Sequence, residues 1–158
     1  MVDTNEAANS EQTYQHLHFE DAPDAPSRTT HKYEVDRAVG ATEFGLNRFV
    51  AEPGQRVPWG RHAHPDHEEA FYVISGTVAF TVGPLDEAET VQVGPGEIFY
   101  VPANTYQTAV AVGDNQLEML AVGAPKSTDS ATIEEKCSEC GEVTGRDFDV
   151  VDAGETYV

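Results

Sequence analysis

Two histidines and a glutamate within eight residues pose the chemical question for this chain: His62, His64 and Glu69 in Gly60-Arg61-His62-Ala63-His64-Pro65-Asp66-His67-Glu68-Glu69. Histidines two apart on an extended segment project from one face. Glu69 opens an apolar run, EAFYVI, whose alternate residues Phe71 and Val73 head for an interior. A carboxylate at such a position is costly unless it is paired or bound to a cation. Two imidazoles and a carboxylate converging on one point suit a divalent first-row ion such as iron, manganese, nickel or zinc. Positions on that ion stay open to water or a small-molecule ligand.

The spacing is more specific than the residue types. His62, His64, Glu69 and Gly76 fill the pattern H-x-H, four residues, E, six residues, G. In this the chain resembles the cupin superfamily, whose first motif has that form. The upstream glycine of that motif is displaced, with Gly54 eight residues before His62 where the family spacing is six. The second motif, G-x(5)-P-x-G-x(2)-H-x(3)-N, is matched from Gly96 to Pro102 and then departs. Asn104 replaces a glycine, a mild change because asparagine tolerates left-handed backbone. Gln107 stands where the family carries a fourth-ligand histidine, and Ala111 where it carries asparagine.

The resemblance spans roughly residues 40–122. It implies an all-β fold, a jelly-roll-like double-stranded β-helix barrel with one divalent transition metal, and a homodimer. His62, His64 and Glu69 are the implied ligands, and Gln107 is the candidate fourth. The alternative is a site of three protein ligands with Gln107 beside it, because a neutral amide oxygen ligates more weakly than imidazole. Function stays open between a dioxygenase-like or isomerase/lyase-type enzyme on a small oxygen-rich substrate and a non-catalytic metal- or small-molecule-binding module. Fold alone does not choose.

Several further residues are candidates. Arg48, on a strand face with Leu46 and Val50, either enters the barrel to meet an anionic substrate or pairs with a structural carboxylate. Trp59 and Tyr106 stand next to the histidines and to Gln107 and are candidates for the pocket mouth. His67 and Glu68 are expected to point outward, and the pair His16/His18 has no carboxylate in phase. Cys137-x-x-Cys140-Gly141 has the form of a zinc knuckle, yet a structural site needs four ligands and the chain has two cysteines. A zinc shared between protomers, a thiol–disulfide pair, and two unligated thiols are the three readings.

The elements that must position these groups are short strands. Period-2 runs fall at 31–37, 44–51, 69–74, 77–82, 90–93, 97–101, 106–112 and 116–122, rich in Val, Phe, Tyr and Thr. Turn chemistry separates them: Pro53-Gly54, Gly83-Pro84, Gly94-Pro95-Gly96 and Gly113-Asp114-Asn115, with Ser75-Gly76 read as a compact hairpin. No convincing amphipathic helix stands out. Residues 31–126 are the expected barrel, 1–30 an acidic arm with one edge strand near Gln15 to Phe19, and 127–158 an acidic tail.

Composition excludes some partners. Nine Lys+Arg against 28 Asp+Glu give a net charge of −19. Nucleic acid is excluded, because phosphate neutralisation needs a basic stripe. An anionic membrane surface is disfavoured likewise, and no apolar run reaches the roughly 18–20 residues of a spanning helix. High acid content with three lysines resembles proteins of salt-loving cells, where concentrated cations screen self-repulsion. The polar, acidic first twenty residues lack the apolar run of a secretory signal, so the expected compartment is cytoplasmic.

Overall fold

Alternation along the chain resolves into eleven strands in a computed structural model that describes residues 14–148. In order they are β1 (His31–Glu34), β2 (Gly45–Ala51), β3 (Arg56–Ala63), β4 (Glu68–Ser75), β5 (Thr77–Val82), β6 (Glu89–Val93), β7 (Ile98–Val101), β8 (Gln107–Val112), β9 (Leu117–Ala124), β10 (Ala131–Lys136) and β11 (Val143–Phe148). One five-residue helix, α1 (Val35–Val39), follows β1 where the sequence reading extended a strand. Gly40 ends it in left-handed backbone at φ +69°, a conformation that glycine adopts without a Cβ penalty. No helix among the described residues is long and apolar enough to cross a membrane.

The strands form two antiparallel sheets, ordered β1-β2-β9-β4-β7 and β11-β10-β3-β8-β5-β6. Their facing sides share one apolar core in which Phe80, Leu117, Met119, Val73 and Val78 are fully buried. Phe80 links the sheets, with its ring centroid 4.9 Å from that of Phe71 on β4 and 4.5 Å from that of Phe99 on β7.

Ser75-Gly76 is not a hairpin. β4 pairs with β7 and β9, whereas β5 pairs with β6 and β8, so the dipeptide is the corner where the chain leaves one sheet for the other. Gly76 has φ +73°, and a Cβ there would lie 2.5 Å from the Gln116 carbonyl oxygen. Both facts require glycine at this corner.

Three other expectations change. β3 fell outside the strand candidates because Pro58 and Gly60 interrupt its pattern; its pairing with β8 shifts register between Val57 and His62, which accommodates them. The arm forms a 3-10 turn at Phe19–Asp21 and a single bridge from Asp24 to Tyr33 rather than an edge strand at Gln15 to Phe19. Residues 131–148, expected as tail, extend the second sheet, with Ile133 of β10 opposite His62 and Thr132 opposite Ala63.

Candidate metal centre

His62, His64 and Glu69 converge from opposite sheets. His62 is the next-to-last residue of β3, between Gln107 of β8 and Ile133 of β10. Glu69 lies on β4, opposite Gly123 of β9 and Val101 of β7. With His64, just past β3, they offer ligand atoms all within 4.8 Å of one another, the one such group among the described residues. His64 Nε2 stands 3.7 Å from Glu69 Oε2.

Main-chain carbonyls fix both imidazoles. His62 Nδ1 donates to the Gly60 carbonyl at 2.8 Å, and His64 Nδ1 donates to the Ser130 carbonyl at 2.8 Å. A carbonyl only accepts, so the proton resides on Nδ1 and each Nε2 keeps its lone pair for a metal. Burial lowers the pKa of both rings below the usual histidine value; for His64 the Ser130 carbonyl and Asp129 oppose that shift. Neutral imidazole is the ligating form.

Glu69 completes the set. Burial, reinforced by the charge of Asp129, pushes its pKa up to about 8, while the Gln107 amide works in the other direction. Gln107 is itself buried, and its Nε2 donates to Glu69 Oε2. Two fixed nitrogen donors facing a buried carboxylate that a cation would relieve fit a divalent ion, so the donor set passes the test its chemistry sets. The structure places Gln107 against the Glu69 carboxylate, where it positions that group.

A cavity of about 440 Å³ opens over the three residues. Asn47, Phe49, Phe71 and Trp59 form part of its wall, Ala131 and Ile133 of β10 another part, and Arg28 and Lys32 bring positive charge to it. Trp59 is thus placed on the pocket wall.

Arg48 is not, because it alternates with Asn47 and Phe49 and faces the other way. Its guanidinium bonds Glu118 at 2.6 Å and Glu20 at 3.2 Å and lies over the Phe19 and Tyr33 rings. Tyr106 is also off the pocket wall: the Arg61 guanidinium covers its ring at 5.3 Å, and Gln107, its neighbour, takes the inward phase. His67 is buried instead of pointing outward, with Nδ1 donating to the Pro125 carbonyl at 3.0 Å and its ring 5.0 Å from that of His64. Gly123 makes room for it, since a Cβ there would collide with His67 Nε2. Asn104 adopts φ +59°, as its place in the motif implies, and its N–H donates to the His64 carbonyl at 2.7 Å.

Two contributors escaped the sequence reading. Asp129 lines the cavity with Oδ1 3.5 Å from His64 Nδ1, and Ser130 supplies the carbonyl that orients that ring. Both lie more than sixty residues downstream, and no spacing rule connects them to the histidines.

Comparison with known proteins agrees with the geometry. The family model described as "Cupin domain" matches residues 47–123. This chain carries a cupin domain. A sugar phosphate isomerase from Silicibacter pomeroyi, of the cupin superfamily, superposes with a TM-score of 0.61 at 22% identity, over 75% of this chain and 79% of that one. A conserved Klebsiella pneumoniae protein with a double-stranded β-helix domain gives 0.59 at 17% identity, over 73% and 94%. Oxalate decarboxylase from Bacillus subtilis gives 0.59 at 22% identity, over 70% of this chain and 29% of the enzyme. At these identities the likeness establishes the fold. A curated relative, glucose-6-phosphate isomerase of Thermococcus kodakarensis, is 35% identical over 77 residues, covering 48% of this chain and 41% of its own length. The matched stretch ends before Asp129, Ser130 and β10, so part of the site comes from outside it.

Proposed function

We propose that the barrel holds one divalent metal ion on His62, His64 and Glu69 and acts as an isomerase on a small, oxygen-rich, anionic substrate. The observation that carries this reading is the pair of imidazoles with Nδ1 committed to carbonyls, which leaves each Nε2 free in a group whose ligand atoms lie within 4.8 Å of one another beneath an open cavity. The ion would supply a Lewis acid for adjacent substrate oxygens. Arg28 and Lys32, two of only nine bases in the chain, line the cavity and suit a negatively charged group, with Lys32 Nζ also 3.4 Å from Glu34 and Glu135 sharing the lining. Asp129 is a carboxylate of the cavity outside the ligand set and is positioned to carry a proton. The relative named a glucose-6-phosphate isomerase supports interconversion of carbonyl and hydroxyl over oxygenation.

The test measures metal content and turnover together, on protein purified in molar KCl without chelator. Aldose–ketose phosphate interconversion is followed beside oxygen uptake on diketone and hydroxy-aromatic compounds. The expected result is about one ion per chain and isomerase turnover, both lost in His62→Ala/His64→Ala, with turnover alone reduced at least tenfold in Asp129→Asn. Oxygen uptake without isomerisation would refute the reaction assigned. A second reading rests on Gln107, whose neutral amide replaces a stronger ligand: a binding module that takes up metal and ligand without turnover.

A further inference from the structure

The hairpin joining β10 to β11 carries both cysteines of the chain, and the barrel site uses neither. Lys136 and Val143 form its last strand pair, so the turn runs Cys137-Ser138-Glu139-Cys140-Gly141-Glu142. Two main-chain bonds close it: Cys137 N–H donates to the Glu142 carbonyl at 2.8 Å, and Gly141 N–H donates to the Cys137 carbonyl at 2.9 Å. Gly141 has φ +74°, the left-handed conformation that turns the chain back after the second cysteine. The neighbouring main-chain N–H groups of Cys140 and Glu139 and the Cys140 thiol lower the Cys137 pKa below the ordinary thiol value. Both cysteines are free thiols, Cys140 exposed and Cys137 partly so.

Two free thiols on one tight turn make half of a tetrahedral sulfur site, and zinc-class ions complete such sites with two C-x-x-C turns. The other half is not available in the same chain. There is no third cysteine. Among the described residues, the group of three or more ligating side chains close enough to share an ion is the one in the barrel. A self-complementary solution exists, because a twofold axis brings two identical turns together and each supplies what the other lacks. β11 is an edge strand, so the hairpin lies at the margin of its sheet, where a second copy has access.

We propose that Cys137 and Cys140 bind a zinc-class divalent ion as half of a tetrathiolate site, completed by the same two cysteines of a second copy of this chain. Each ligating thiol gives its proton to solvent, and no oxidant or reductant takes part. The net charge of −19 on each copy opposes the approach at low ionic strength. Molar salt shortens the screening length to about 3 Å and removes that barrier, so assembly and metal uptake strengthen together as salt rises.

The experiment uses the full chain bearing His62→Ala/His64→Ala, which silences the barrel site and makes the result independent of the function proposed above. Reduced, metal-free protein in molar KCl is titrated with Co²⁺ as a spectroscopic substitute for zinc, and mass is followed by light scattering. The expected result is saturation at about half an equivalent per chain, thiolate-to-metal absorption of four sulfurs, and a metal-bound species with an even number of chains. Adding Cys137→Ser or Cys140→Ser abolishes the absorption while leaving the melting temperature within about 2 °C, as suits exposed positions. Saturation at one equivalent per chain overturns the proposal. So does a Cys137–Cys140 disulfide in air together with no metal uptake by the reduced protein.

Discussion

Metal uptake at the barrel should be driven by pH through Glu69. The carboxyl group has its pKa raised from 4.5 to about 8, whereas both imidazoles titrate below 6.5. Between pH 6.5 and 8 the histidines are therefore neutral and Glu69 is largely protonated. An incoming ion must expel that proton. At pH 7, one unit below the midpoint, about one tenth of the carboxyl groups are ionised, and removing the proton costs about 1.4 kcal/mol of binding free energy. The apparent affinity should thus rise about tenfold per pH unit through this window and level off above pH 8. Calorimetric titration of Mn²⁺ into metal-free protein, in two buffers of different ionisation enthalpy, counts the protons released. About nine tenths of a proton should appear at pH 7, and almost none at pH 9. Asp129→Asn, which removes the neighbouring negative charge, should move the plateau to lower pH. A pH-independent affinity across the window, or an unchanged slope in Glu69→Gln, would refute the reasoning.

The same shift governs the metal-free fold. Native Glu69 keeps a proton that the unfolded chain has lost between pH 4.5 and about 8, so stability falls as pH rises through that interval, by on the order of a few kcal/mol. Denaturant melts at pH 6.5 and pH 8, above the range in which the depressed histidines act in the opposite sense, should show the upper part of this fall, and Glu69→Gln or saturating metal should flatten it. Gly76→Ala should destabilise by about 2 kcal/mol or more, from left-handed backbone and collision with the Gln116 carbonyl, read as a lowered urea midpoint. Arg48→Met should lower stability by about 1 kcal/mol through loss of the Glu118 pair, with metal affinity unchanged, because the guanidinium lies off the pocket wall. Phe80→Ala should cost about 3–5 kcal/mol, since its ring connects Phe71 and Phe99 across the core.

The three residues of the candidate site were legible in the sequence because strand geometry converts local spacing into direction: His62 and His64 share a face, and Glu69 opens an apolar strand. The same parity rule places Arg48 and Tyr106 once a single inward neighbour, Phe49 or Gln107, is identified. What stayed illegible has physical causes. β3 carries Pro58 and Gly60, turn signals in most contexts, and only the shifted pairing with β8 makes them compatible with a strand. Ser75-Gly76 satisfies the local rules of a hairpin, but the partners of β4 and β5 are distant in sequence and decide otherwise. β10, ATIEEK, is acidic enough to read as solvated tail, and its value comes from packing beside His62. Asp129 and Ser130 reach the site through that same long-range pairing.

β10 has a consequence for how such a barrel diversifies. It flanks the strand that carries His62, supplies pocket wall through Ala131 and Ile133, and begins next to the carbonyl that holds His64, yet it lies beyond the residues that match the cupin-domain model. His62, His64 and Glu69 and this one part of the pocket wall are thus encoded in separable stretches of the chain. Exchange of the terminal hairpin alone would set His62, His64 and Glu69 beneath a differently shaped cavity, and loss of the segment that carries Ser130 would free the His64 ring to rotate.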